Sequence, residues 1–483
     1  MILIFSTTYC TAQSAATRED PQQLQEKVKQ LEEETRALKE RLAALEKKQS
    51  GTAQVVDASV RSTAEPALSA NATDTTAPKT TSPPPKEDPA LDTKNSTAQT
   101  GPNKTEANPT MNVYGFAMLD AGYDFKTNDP AWFDVNRPSK LAATQGQFGQ
   151  NGNTYFGVRQ SRLGVQGTLP TSWGDAKYKF EFDLFGVGKD AGVTTIRPRH
   201  FYGELGAFLA GQTNSVFMDI DVFPNILDYW GPNGMVFLRN PQLRWMPIRG
   251  DTHLWFSIEA PGQSGDQGLL SDREPIQNIK PRFQYPDLAG QYRYAGKWGY
   301  LQGAAVLRNV QLDDTLPDQF DLNQSIMGWG FDFSSGVKIH KDTLHLQYVV
   351  GNGIQNYMND APFDVAPIAN PGNPIRPVKG KPLPMWSYVI YLDHNWSEKW
   401  ATSLGFSALQ IQNTGLQPAN AYHRGQYSTI NLLHMPTKHI MYGGELQWAR
   451  RVNFLDGFDP QDFRIQFGFK YSFDARVFGK EQP

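Results

Sequence analysis

The chain is short of several things that would normally orient a reading. Cys10 is the only cysteine in 483 residues, so no disulfide within one copy can staple the fold. No stretch approaches the ~18 consecutive apolar residues of a transmembrane helix. Charge of one sign is also missing. Forty-six Lys and Arg face 49 Asp and Glu, a net of −3, and without a basic arm nucleic acid is not an expected partner. The eight histidines are scattered, with no H-E-x-x-H spacing, no G-x-S-x-G elbow and no phosphate-cradling glycine loop. Neither an enzyme, a metal site nor a cofactor is therefore expected. Aromatics are nearly absent before residue 110, where only Phe5 and Tyr9 occur.

What is present lies mostly beyond that point. Of 58 Phe, Tyr and Trp, 56 fall in the 374 residues from 110 to 483. That segment reads as strand after strand of period-two alternation, broken by Gly, Pro, Asn and Asp clusters. Near its end, Phe463, Ile465, Phe467, Phe469, Tyr471 and Phe473 share one parity, with Arg464, Gln466, Gly468, Lys470 and Ser472 on the other. Eleven such residues match the ~9–11 of a tilted membrane-spanning strand. Tyr178, Phe180, Phe182 and Leu184 likewise oppose Lys177, Lys179, Glu181 and Asp183. Charge opposite an oily face predicts a wet interior, because unpaired charges in a sealed core cost several kcal/mol each. At roughly 20–25 residues per strand with its connections, the segment predicts an all-β transmembrane barrel of about 16 antiparallel strands, wide enough for an aqueous channel.

Three segments precede the barrel. Residues 1–16 carry an apolar start and a small-residue stretch, Ser14-Ala15-Ala16, and read as a signal-peptide remnant. In residues 21–48, Leu24, Val28, Leu31, Thr35, Leu38, Leu42 and Leu45 are spaced alternately by four and three, with polar residues on the other faces. That narrow seam predicts an α-helical coiled coil and hence self-association. Residues 49–109, rich in Ser, Thr, Pro and Ala, bury almost nothing and read as a disordered linker.

The chemistry-bearing candidates are arginines at lumen-facing parity: Arg162, Arg197, Arg199, Arg239, Arg244, Arg282, Arg293 and Arg308. A ladder of guanidinium groups would bind carboxylates bidentately and focus a positive field. The competing reading is that each arginine is simply paired with a nearby acid. The stretch from Phe217 to Gly234 breaks the alternation. It is expected to fold inward as a constriction loop, with Asp219, Asp221 and Asp228 pairing to wall arginines. An extracellular loop or a rim calcium site is the alternative.

Several local stretches carry a family resemblance. They are Val113-Tyr114-Gly115-Phe116 with Asp120; Ser161-Arg162-Leu163-Gly164; Arg199-His200-Phe201-Tyr202-Gly203-Glu204 on to Leu209-Ala210-Gly211-Gln212-Thr213; Gly231-Pro232-Asn233-Gly234-Met235 with Arg239-Asn240-Pro241-Gln242; Met441-Tyr442-Gly443-Gly444-Glu445-Leu446-Gln447-Trp448; and Phe467-Gly468-Phe469-Lys470-Tyr471-Ser472-Phe473. Together they resemble the DcaP-like outer-membrane porins. The resemblance implies a homotrimer of 16-stranded barrels in the Gram-negative outer membrane with a periplasmic N-terminal coiled coil. It also implies passive uptake of small anionic solutes such as dicarboxylates. The expected surroundings are outer-membrane lipid and lipopolysaccharide, with peptidoglycan a candidate contact of the arm. A phosphate-selective porin and a structural anchor tethering the outer membrane remain the alternatives.

Overall fold

The computed structural model describes residues 108–479. The expected signal remnant, the coiled coil and all but the end of the linker lie outside the described residues.

Among the described residues twenty strands form. The first ten are β1 (Thr110–Asp124), β2 (Asn153–Gly157), β3 (Arg162–Thr171), β4 (Gly174–Phe185), β5 (Thr194–Leu205), β6 (Phe208–Asn214), β7 (Arg239–Ile248), β8 (His253–Glu259), β9 (Ile279–Arg282) and β10 (Asp287–Gly296). The others are β11 (Gly299–Asp314), β12 (Gln324–Ile339), β13 (Asp342–Asn352), β14 (Val365–Ala369), β15 (Val378–Pro382), β16 (Pro384–Asn395), β17 (Trp400–Ile411), β18 (Tyr422–Thr437), β19 (Ile440–Asn453) and β20 (Gln461–Phe478).

Sixteen of them close into one antiparallel barrel. β2 and β9 share the edges that β3 and β10 occupy further along, on β1 and β11, and so extend those two strands. β14 and β15 pair only with each other in a separate hairpin. Closure comes from β1, which pairs with β3 on one side and with β20 on the other, Gly115 opposite Phe473 and Tyr123 opposite Ile465. At one end the strands are joined by turns of two to four residues, such as those between β3 and β4 and between β10 and β11. At the other end the connections are long, notably Phe125–Gly152, Ser215–Leu238 and Gly353–Leu383.

The alternation in the sequence is realised as an inside-out protein. Phe180, Trp245, Phe256, Leu301, Phe333, Tyr348, Ile390, Leu404, Ile430, Phe463, Phe467 and Phe469 point outward and are exposed. Asp120, Asp124, Glu181, Asp183, Asp332, Glu445, Arg464 and Gln466 point inward and are buried. Because strand side chains alternate with period two, a one-residue slip in register would exchange these two sets, so the register is strongly fixed. Among the described residues no helix is long and apolar enough to cross a membrane.

Candidate functional site

The interior is where the structure departs from a simple wet tube. Three long connections fold into it and cover much of the inner wall. The loop Ser215–Leu238, the expected inward loop, is pinned by apolar anchors at three places. Val216, Phe217 and Met218 pack with Ile354, Tyr357, Met358 and Leu409. Val222 and Met235 pack on Val389 and Tyr391. Leu227 packs on Met118, Leu433 and Met441. The loop beginning at Gly353 is inward as well: Asp364 accepts from Arg308 at 3.0 Å and from the Ser264 backbone at 2.8 Å. The loop after β1 joins them through Arg137, which donates to Asp360 at 2.9 Å. Broken alternation in the sequence marks only the first loop. The apolar residues Ile354, Tyr357 and Met358, which interrupt a polar stretch, were the signal for the second.

Consecutive residues of the central loop reach two chemically different sectors of the wall. Tyr229 meets β4 and β5. Its hydroxyl donates to Asp183 Oδ2 at 2.7 Å and accepts hydrogen bonds from Arg197 and Arg199. Arg197 Nε donates to Asp183 Oδ1 at 2.9 Å. Arg199 donates to Glu181 Oε1 at 2.7 Å and to Asp183 Oδ2 at 3.1 Å. Arg162 Nε stands 3.5 Å from Glu181. Three guanidinium groups therefore share two carboxylates.

Asp228 meets the other sector. It accepts from Tyr427 at 2.7 Å and from the Asn136 and Trp230 backbones, both at 3.2 Å. The backbones of Leu227 and Asp228 donate to Glu445 at 2.7 and 3.1 Å. Asp120 accepts from Gln466 at 2.9 Å, and Asp124 is held by Arg464 through Nε and, at 3.1 Å, through Nη2. Asp462 lies beside Asp124, and Arg464 is the cation that Asp124, Asp228 and Asp462 share. Burial pushes the Asp228 carboxyl up to about 6 against the opposing pull of Arg464. Asp364 in the second loop is raised for the same reason, opposed by Arg308.

The remaining predicted residues sort as follows. Arg293 is bidentate to the loop: Nη2 donates to Asp219 Oδ1 at 2.6 Å and Nη1 pairs with Asp221, while Tyr300 donates to Asp219 at 2.7 Å. Arg308 lies between Asp287 and Asp364, at 3.4 and 3.0 Å. Arg244 donates to Gln242 and to the Asn214 carbonyl and stacks over Trp255 at 4.8 Å. Arg239, at the start of β7, lies over the Phe237 ring at 4.7 Å. Arg282 does not join them. It sits half exposed on β9, 3.5 Å from Asp313, at the long-loop end. Most of the candidate arginines are thus ion-paired, and loops cover many of the inner-face charges.

Two features leave positive charge within reach of solvent. In the β3–β5 sector Arg197 stands in front of its acid, its side chain 19% exposed and that of Asp183 0%, while Arg199 and Glu181 are both buried. At Arg293 the order differs, since Asp221 is more exposed than the arginine. Toward the short-turn end, a recess of about 100 Å³ is lined by Lys177, Arg244, Arg249, Arg293, His253 and Trp255, together with Glu204 and Asp221. Among the described residues no group of three or more His, Cys, Asp or Glu is placed to hold a metal ion.

Comparison with known proteins fits this geometry. Residues 86–359 match the family model described as the DcaP outer membrane protein. Among solved structures, the outer membrane channel DcaP of Acinetobacter baumannii is similar over 77% of this chain and 99% of its own, with a TM-score of 0.62 at 22% identity. An anion-selective porin from Comamonas acidovorans aligns over 76% of this chain and all of its own, with a TM-score of 0.49 at 12% identity. A search of curated proteins finds no match to the chain.

Proposed function

Since the chain belongs to the DcaP outer membrane protein family and has the closed barrel of a porin, we propose that it conducts small hydrophilic solutes passively across the outer membrane, anions such as dicarboxylates in preference. The observation that carries the preference is the layering of the β3–β5 sector. There the guanidinium group of Arg197 reaches solvent while its partner Asp183 does not. A solute passing that sector meets the cation first, and in a low-dielectric wall such a field is focused rather than screened. A planar carboxylate matches the forked donors of arginine. The cationic recess toward the short-turn end extends the same field along the path.

The proposal includes a homotrimer whose N-terminal arm lies in the periplasm. It is supported by the heptad seam of residues 21–48. Solute flux into liposomes containing the protein tests the solute class. A C4 dicarboxylate is expected to enter faster than a diamine of equal length. Equal or reversed rates would overturn the preference, and the absence of any flux would overturn the channel.

A further inference from the structure

On β10–β13 the outer wall has a break in its aromatic surface. Across β10, β11, β12 and β13, Tyr292, Gly303, Phe333 and Tyr348 stand opposite one another in a single row. The next row toward the short turns runs Tyr294, Leu301, Ser335 and Leu346. Gly303 and Ser335, diagonal neighbours at outward parity, are the small members. Around them lies a groove of about 660 Å³. Strands two apart in a sheet are roughly 10 Å apart, so a missing side chain between the rings of Tyr292 and Phe333 leaves a slot about 5 Å wide, the width of one extended hydrocarbon chain.

The groove has a depth in the membrane and a charged rim. Gly303 is four residues from the start of β11 at Gly299, or about 13 Å of strand. That places it within the leaflet on the short-turn side, which faces the periplasm in outer-membrane barrels. The two turns that end these strands carry Lys297 with Trp298, and His340 with Lys341, all exposed at the rim. The turns are tied together, since the Lys338 backbone donates to the Trp298 carbonyl at 2.8 Å. Lys341 reaches further along the rim to donate to the Trp396 carbonyl at 2.9 Å. Of the acids here, Asp342 is held by His394 at 2.8 Å, and Glu398 lies one turn further on.

We infer that this face binds one anionic glycerophospholipid of the periplasmic leaflet, an acyl chain in the Gly303–Ser335 slot and the phosphate between Lys297 and Lys341. The slot faces hydrocarbon, so its occupant is apolar, and the lysines at its mouth select a negative headgroup. Basic clusters at the membrane boundary bind anionic lipid in this way, each lysine contributing roughly fivefold. The inference rests on the barrel's membrane position and not on the ion preference of the lumen.

The test is native mass spectrometry of the full chain taken from vesicles of equal phosphatidylglycerol and phosphatidylethanolamine. The wild type is expected to retain phosphatidylglycerol over phosphatidylethanolamine by about tenfold or more. A Cβ at Gly303 would come no closer than 4.0 Å to the residues around it, the nearest being the Phe333 ring, so Gly303→Leu enters the slot without a clash at its Cβ. It should lose the retained lipid. Lys297→Gln with Lys341→Gln should keep a lipid but lose the headgroup preference. No enrichment in the wild type, or unchanged retention in Gly303→Leu, would overturn the site. So would conversion of oligomers to single chains by Gly303→Leu, since that outcome would assign the face to a second copy.

Discussion

Two sectors of the same inner wall solve the problem of buried charge in opposite ways. On β3–β5, Arg162, Arg197 and Arg199 outnumber Glu181 and Asp183, and the excess positive charge is partly wet. On β1 and β18–β20, Asp120, Asp124, Glu445 and Asp462, with Asp228 from the loop, outnumber Arg464, and every one of them is buried. An exposed excess acts on solutes, whereas a buried excess acts on stability, because desolvation penalises each ionised group. The central loop is bound to both through adjacent residues, Asp228 and Tyr229. The lumen therefore has one side that can attract and one side that mainly holds the loop.

The largest effect that would test this division is on stability. Arg464→Gln removes the cation that Asp124, Asp228 and Asp462 share and is expected to cost ~3–5 kcal/mol, read as a shifted urea midpoint. Arg162→Gln should cost far less, because Arg199 still donates to Glu181. Equal losses would erase the distinction between sectors.

The next effect is on pH. The Asp228 carboxyl is raised by burial to about 6 from an ordinary 3.8. The folded form thus holds the proton more tightly than the unfolded one. Docking of the loop is expected to strengthen as pH falls from 7 through 6 toward 4, by up to about 3 kcal/mol, and to weaken as pH rises. Hydrogen exchange at Asn225–Trp230 should slow accordingly, and Asp228→Asn should flatten the response. Faster exchange at low pH would contradict the sign. The smallest effect belongs to Tyr229→Phe. It deletes one hydroxyl shared by Asp183, Arg197 and Arg199 and should loosen the loop by about 1–2 kcal/mol at all pH values.

How much of this was legible follows from what each feature depends on. Strands such as β4 and β20 were readable because alternation is local: Phe180 and Phe467 need only their own neighbours to declare a face. The inward loop was readable at Phe217–Gly234 because alternation fails there. The acidic sector was not. Asp120 and Gln466 meet only when β1 closes on β20, 346 residues apart in sequence. Nor was the pairing of the arginines, since Asp183 faces Arg197 and Arg199 only through the β4–β5 register and its irregularity at Glu181–Phe182. Arg282 had the alternation of a lumen residue but lies on the exposed extension of β10, beyond the wall that loops cover.

The measurement that bears most directly on the two-sector account is the reversal potential of the open channel in a salt gradient, compared across three chains. The wild type is expected to prefer anions. Replacing Arg162, Arg197 and Arg199 by Ser should move the potential toward cations, while Glu445→Gln should leave it nearly unchanged. A cation-preferring wild type, or a potential that responds to Glu445 and ignores the three arginines, would contradict the account.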